Sequence, residues 1–168
     1  MSKPKSKVTA GADAAKPGTD DNLPFAATHL VRDSCLCLHV HRAARALARR
    51  FDDVLRPLGL TNGQFSLLMS LNRPEPPSIG SIATLLAMDR TTLTANLKPL
   101  ERRGLLKITV DREDRRSRLL ILSATGRALL SRAYPVWKET HAAAEQQLIG
   151  LSADQLRNAL RGLHATGA

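Results

Sequence analysis

The sequence contains few aromatic residues: phenylalanine, tryptophan and tyrosine together make up 3% of its 168 residues. This scarcity argues against a protein that binds RNA or single strands by stacking bases on aromatic side chains. No apolar run reaches the roughly 20 residues that a membrane-spanning helix needs. The N-terminal stretch also lacks the apolar segment of a secretion signal. We therefore expect a cytoplasmic protein that does not enter a membrane.

Motifs of catalysis are also missing. The sequence has no Gly-x-Ser-x-Gly elbow, no P-loop, no dinucleotide-binding glycine pattern and no paired His–Glu metal motif. We therefore predict that the protein is not an enzyme, has no catalytic residues and needs no cofactor.

Positive charge, in contrast, is abundant. The formal net charge is +10, and half of it, a net +5, lies between residues 90 and 118. Such an excess favours a polyanionic partner. The 43% of hydrophobic residues suffice for the core of one domain. We predict a disordered basic tail over residues 1–22 and a single domain over residues 23–168.

The region around residue 90 has the pattern of a capped helix. Asp89 is a good N-cap, and Gly104 can end the helix in a left-handed conformation. Leucines at helical spacing can face a core, while Pro99 predicts a kink or a loosened turn. Outward polar side chains of such a helix suit DNA bases and phosphates. We predict DNA contacts from Arg90, Thr91, Thr92, Thr94, Asn96 and Lys98.

A β-hairpin is predicted directly after this helix. Residues 105–110 and 118–122 are short apolar runs, separated by the charged turn DREDRRS. Arginines at an exposed hairpin tip attract phosphate and suit a narrow minor groove. An alternative is a solvated tip with internal Arg–Asp pairs. We predict that Arg112, Arg115 and Arg116 contact DNA.

Three segments carry a family resemblance: LTNGQFSLLMSL, IGSIATLLAMDRTTLTANLKPLERRGLL and DREDRRSRLLILSATGR. They resemble the MarR family of bacterial transcription regulators, over about residues 28–165. The most specific part is the hairpin, with Asp111, Asp114-Arg115-Arg116, Leu119 to Leu122, Ser123 and Gly126. The resemblance implies a homodimeric regulator that binds palindromic double-stranded DNA and releases it on a chemical signal.

The expected fold is mainly α. The winged helix-turn-helix, with a two-stranded β-wing, should span about residues 61–122. One long dimerisation helix should span about residues 28–58, and further ones should lie within about residues 123–165, with N-caps at Ser123 and Ser152. Thr61 should cap the helix that follows the first of these. The apolar stripes of the dimerisation helices need a partner to cover them, and we therefore expect a homodimer.

The segment Cys35-Leu36-Cys37-Leu38-His39-Val40-His41 could be a metal or redox cluster if it were a strand. The sequence that follows favours a helix, however, on which the Cys35–His39 and Cys37–His41 pairs point in different directions. We therefore expect no metal site and no disulfide between the two cysteines.

Two alternatives remain for the chemical signal that would release the protein from DNA. The segment resembles the peroxide-sensing branch of the MarR family, which implies a reactive thiol at Cys37. In that branch, tyrosine hydroxyls interact with the reactive cysteine. This sequence has other residues at the matching positions, and its single tyrosine is Tyr134. The other alternative is a small aromatic or anionic effector that releases a repressor from DNA. We predict that such an effector contacts His39, His41, Arg42, Arg45 and Phe65. A non-specific architectural DNA-binding protein is the alternative from another class.

Overall fold

The computed structural model describes residues 22–165. Seven α-helices and two β-strands lie within that range, and their bounds follow in chain order. They are α1 (Phe25–Ser34), α2 (Leu36–Leu55), α3 (Asn62–Ser70), α4 (Ile79–Leu85), α5 (Arg90–Arg102), β1 (Leu106–Val110), β2 (Arg118–Leu122), α6 (Ala124–Glu145) and α7 (Ala153–Ala165). The predicted tail lies outside the described residues except for Asn22. The order of elements confirms a mainly α winged helix-turn-helix.

The chain divides into two units, the first ending at His39 and the second beginning at Val40. The first unit contains α1 and the start of α2. Most of its large apolar side chains are open to solvent: Phe25 is 73% exposed and Leu36 is 67% exposed. No residue of α1 is buried.

One continuous helix over residues 28–58 was the wrong prediction, because the helix breaks at Cys35 and ends at Leu55. Cys35 has an extended backbone, with φ −72° and ψ 106°. Its amide closes α1, and its carbonyl accepts from the His39 amide to open α2. The Cys35 sulfur also accepts from the Leu38 amide at 3.5 Å. The residue therefore serves both helices as a cap, which stabilises the break.

The N-caps of the second unit match the predicted ones. Thr61 and Gln64 form a reciprocal capping box at the start of α3. Ser123 accepts from the Gly126 amide at the start of α6, and Ser152 accepts from the Gln155 amide before α7. These caps satisfy backbone donors that have no partner within their own helices.

The hydrophobic core lies in the winged helix-turn-helix and the adjoining parts of α2 and α6. Leu93, Leu97 and Leu100 of α5 are completely buried in it, as predicted. Gly126 of α6 lies against the backbone carbonyl of Leu105, and a Cβ there would overlap that oxygen. Helix α6 can lie close to the backbone between α5 and β1 because position 126 has no side chain.

The wing is an antiparallel hairpin in which Leu106 pairs with Leu122 and Val110 with Arg118. A further short segment joins it on the other side of β2. Ser78 forms a bridge with Leu119, and the Leu120 amide donates to the Pro77 carbonyl at 2.9 Å. The residue that caps α4 is thereby attached to the wing.

Helix α7 carries no buried residue among positions 153–163. It is linked to α6 through Arg157, which contacts Glu145 at 2.6 Å and Asp154 at 2.8 Å. Hydrogen bonds to Arg157 lower the pKa of both carboxyl groups. None of the helices described here is both long and apolar enough to cross a membrane.

Candidate nucleic-acid interface

Helix α5 follows α4 after a tight turn at residues 86–88, in which Ala87 has a φ of +50°. Asp89 caps α5 by accepting from the Thr92 amide at 2.8 Å and from the Thr92 hydroxyl at 2.6 Å. The Thr92 hydroxyl and then the Thr92 amide lower the pKa of the Asp89 carboxyl. The cap fixes where the helix begins. It also engages Thr92, one of the predicted DNA contacts, within the protein.

The other predicted contacts of α5 do not share one face. Successive residues of a helix are about 100° apart, so that Thr94 and Asn96 point in directions roughly 160° apart. Thr94 lines a groove toward the wing, whereas Asn96 lines a cleft beside the start of α3. Thr91 and Lys98 point away from the buried leucines, and both are exposed. The structure therefore separates the six predicted residues into three directions.

A groove of about 340 Å³ lies between α5, the start of α4 and the wing. Arg90 and Thr94 line it from the helix, and Arg116 and Arg118 line it from the hairpin. The Arg90 guanidinium lies over Gly80, where an added Cβ would approach its Nη2 atom to 3.2 Å. The groove brings positive charge from two elements to one concave surface.

The acidic residues of the wing shape its turn instead of pairing with its arginines. Asp111 accepts from the Glu113 amide, and Asp114 accepts from the Arg116 amide, both at 2.9 Å. Arg112, Arg115 and Arg116 are exposed. Within residues 22–165, no arginine of the hairpin forms an ion pair. The alternative of internal Arg–Asp pairs is therefore wrong, and the exposed guanidinium groups of Arg112, Arg115 and Arg116 are available to an anion.

Several residues of this surface were missed by the sequence analysis. Arg118 lines the groove, where it donates to the carbonyls of Arg115 and Ser117. Ser78 and Gly80 line it from the start of α4. The alternation of β2 could have indicated Arg118. The contribution of α4 depends on the Ser78–Leu119 bridge, for which the sequence has no local signal.

Of the predicted cysteine and histidine residues, Cys35 lies at the helix break, and Cys37, His39 and His41 follow it on α2. Cys35 is half-buried at the junction and Cys37 is exposed on α2. His39 approaches the Asp33 carbonyl at 3.3 Å. In the described part of the chain, no cluster of three or more His, Cys, Asp or Glu residues could hold a metal ion.

The remaining predicted effector contacts differ in exposure. His41, Arg42 and Arg45 are exposed on α2. Phe65 is buried in the core and stacks on Trp137 with a centroid distance of 6.0 Å. A separate cleft of about 330 Å³ lies between α3 and α6, and its wall includes Met69, Arg127 and Tyr134. The structure thus offers a polar helix surface on α2 and, elsewhere in the second unit, a mixed cleft.

A helix-turn-helix whose second helix leads into an arginine-rich hairpin defines a winged helix-turn-helix protein. Comparison with known proteins places it more narrowly. The sequence model of the MarR family matches residues 60–117. The transcriptional regulator MosR of M. tuberculosis, solved in complex with DNA, superposes with a TM-score of 0.72 at 34% identity. That alignment covers 79% of this chain and 96% of MosR.

Two further transcription regulators are similar to this chain over shorter alignments. The regulator TtmR of Methylorubrum extorquens is 37% identical over 97 residues, which are 58% of this chain and 50% of TtmR. The organic hydroperoxide resistance transcriptional regulator of Bacillus subtilis is 28% identical over 108 residues, or 64% of this chain and 74% of that protein. The match to TtmR thus spans only half the length of that relative.

The chain belongs to the MarR family of transcription regulators. The predicted resemblance is confirmed. Members of this family that match the chain are regulators and not enzymes, which also confirms the prediction that the protein is not an enzyme.

Proposed function

We propose that the protein is a cytoplasmic homodimer that binds palindromic double-stranded DNA and regulates transcription as a repressor. The observation that carries this proposal is the groove in which Arg90 of α5 faces Arg116 and Arg118 of the wing. A recognition helix enters the major groove of DNA, and a neighbouring hairpin then meets the phosphate backbone and the minor groove. Unpaired arginines in this position suit both phosphates and a narrow minor groove.

Exposed apolar residues in the first unit and on α7 support the proposed dimer. Leu30, Val31 and Leu36 in the first unit are all more than half exposed, and Leu160 of α7 is 42% exposed. A second copy of the chain would cover such surfaces. Two copies related by a twofold axis would present two recognition helices, which is why we propose a palindromic operator.

Fluorescence anisotropy on the DNA upstream of the coding region would test this function. We expect affinity for that duplex to exceed affinity for random duplex by at least about 10³-fold. The Arg116→Ala variant should bind more weakly, and its salt dependence should be flatter by about one phosphate contact per protomer. Arg132→Ala, which removes an exposed arginine of α6, is the matched control.

The anisotropy experiment also separates the alternative functions. Equal affinity for both duplexes would contradict a sequence-specific regulator and would favour an architectural DNA-binding protein. If the DNA affinity of Arg116→Ala depends on salt as that of the wild type does, Arg116 does not contact DNA phosphates. Sequence-specific binding itself would not be contradicted by that result.

The signal that releases DNA is proposed to be a small aromatic or anionic molecule. The exposed side chains of His41, Arg42 and Arg45 on α2 can bind an anion by charge-assisted hydrogen bonds. Salicylate is a suitable first probe, because it combines an aromatic ring with a carboxylate. We expect it to weaken operator binding by the native protein and to have less effect on Arg42→Ala/Arg45→Ala.

A second candidate signal is peroxide acting on Cys37, since that thiol is exposed and one relative is named for organic hydroperoxide resistance. Peroxide would oxidise the thiolate to a sulfenic acid and would itself be reduced to an alcohol. Cumene hydroperoxide should abolish operator binding by the wild-type protein and by Cys35→Ser. Continued binding by treated Cys37→Ser would support this switch. Operator binding that is indifferent to peroxide would exclude it.

A further inference from the structure

The outward face of α5 contains a small apolar side chain between two polar ones. Thr91, Ala95 and Lys98 point away from the buried leucines and are exposed. Their spacing of four and then three residues places them in one stripe, about 10 Å long. A stripe of that length spans roughly three base pairs.

We propose that this stripe reads the bases of each operator half-site, and that Ala95 recognises a thymine through its C5-methyl group. The inference rests on the proposed DNA-binding function and assigns the residues that determine its specificity. In the major groove, thymine is the base that presents a methyl group, and an alanine methyl is a suitable apolar contact.

Other polar side chains of α5 are already engaged within the protein. The Thr92 hydroxyl is bound to Asp89, and the Thr94 hydroxyl donates to the Arg90 carbonyl at 2.7 Å. Asn96 faces Met88, with its Nδ2 atom 4.0 Å from the sulfur. The Thr91 hydroxyl, in contrast, makes no hydrogen bond among the residues that the structure covers.

Arg90 has a different position. Its guanidinium lies over Gly80 at the edge of the groove that also contains Arg116 and Arg118. That groove lies between the helix that would occupy the major groove and the wing that would approach the minor groove. The DNA strand that separates the two grooves would pass there, and Arg90 would contact its phosphates instead of its bases.

Removal of one methyl group from DNA tests the role of Ala95. The wild-type protein is first used to select sites from a randomised duplex library. Each thymine of the selected site is then replaced by deoxyuridine, which lacks the C5-methyl group. We expect one position per half-site at which this replacement weakens wild-type binding about threefold to fourfold, as for the loss of one buried methyl contact.

The Ala95→Gly variant should no longer distinguish thymine from deoxyuridine at that position. The ratio of the two affinities is measured within each variant, so a general loss of helix stability cancels. Ala128→Gly, the same change at an exposed position of α6, should retain the wild-type ratio. Arg90→Ala should weaken all duplexes similarly and should leave the selected sequence unchanged.

Two results would overturn the assignment. The first concerns deoxyuridine: either the wild-type protein selects a sequence but is insensitive to deoxyuridine at every position, or the Ala95→Gly variant keeps the full ratio. The second is a changed base preference in Asn96→Ala combined with an unchanged preference in Thr91→Ala and Ala95→Gly. If the wild-type protein selects no sequence, the proposed regulator function itself fails, which is a separate result.

Discussion

The winged helix-turn-helix and the terminal helices, α1 and α7, differ in where their apolar side chains lie. Leu93, Leu97 and Leu100 of α5 are fully buried, whereas no residue of α1 and none of positions 153–163 is buried. Burial of apolar surface is the main favourable contribution to folding. The winged helix-turn-helix therefore obtains its stability from contacts within one chain. The terminal helices leave apolar surface that a second copy can cover.

The strongest test of this difference is Gly126→Ala. The added methyl would overlap the Leu105 carbonyl oxygen and would lie 2.8 Å from Leu122 Cδ1. Because the first contact is with backbone, a side-chain rotation cannot relieve it. We expect the free energy of unfolding to fall by about 3 kcal/mol, the upper end of ordinary overpacking. Urea denaturation at fixed protein concentration measures it.

Gly63→Ala is the matched control, because a Cβ at that helical position would have no atom within 4 Å. The helix propensity of alanine should increase stability there by about 0.5 kcal/mol. Similar effects of the two substitutions would show that the packing of α6 against Leu105 is looser than the structure indicates.

The next largest effect is expected in the terminal helices. Leu160→Asp places a carboxylate on the apolar face of α7, where the proposed partner would have to desolvate it. We expect the dissociation constant of the dimer to increase at least about tenfold. Sedimentation equilibrium measures this change. Asn158→Asp adds the same charge on the opposite face of α7 and should leave the dimer intact. Equal weakening by both variants would indicate a general charge effect.

Local signals predicted much of the fold. Asp89, Thr61 and Ser123 each precede a helical apolar pattern, and a cap depends only on residues next to it. The break at Cys35 was not predicted, because the surrounding residues favour a helix and the break depends on how the Cys35 backbone and sulfur accept amides from the next turn. The Ser78–Leu119 bridge joins residues that are distant in sequence and leaves no periodic pattern.

The candidate interface was predicted less completely than the fold. Periodicity identified which residues of α5 face outward, and charge identified the wing. It did not show that the hydroxyls of Thr92 and Thr94 are hydrogen-bonded within the protein. It also did not show that the wing carboxylates accept from backbone amides and leave the arginines unpaired. These contacts depend on side-chain rotamers that residue spacing does not determine.

A smaller effect is expected at the cap of the recognition helix. Asp89→Ala should lower the melting temperature by about 3 °C, because the first amides of α5 lose their acceptor. Asp89→Asn keeps an acceptor but not the charge, so at pH 7 its stability should lie between those of wild type and Asp89→Ala. The two substitutions together show whether the cap needs an oxygen or specifically a charge.

The pH dependence of the same cap follows from the pKa of Asp89, which is lowered in the folded protein from 3.8. A lowered pKa means that the ionised carboxylate stabilises the fold above that ordinary value. The contribution is lost as the pH falls through the folded-state pKa. The stability difference between wild type and Asp89→Asn should therefore shrink below about pH 4. A difference independent of pH would show that the Asp89 charge does not contribute.

The smallest expected effect comes from backbone strain at Ala87, in the turn between α4 and α5 of the winged helix-turn-helix. Ala87 has a φ of +50° in the turn before α5, a conformation that glycine adopts without steric cost. Ala87→Gly should increase the free energy of unfolding by about 0.5 kcal/mol, since relief of strain exceeds the added entropy of the unfolded chain. Ala128→Gly, in the regular helix α6, should decrease it by about 0.8 kcal/mol. Opposite signs in denaturation experiments would establish that the helix-turn-helix keeps a strained residue at its turn despite its dense core. Destabilisation by both would mean that the turn accommodates alanine without strain.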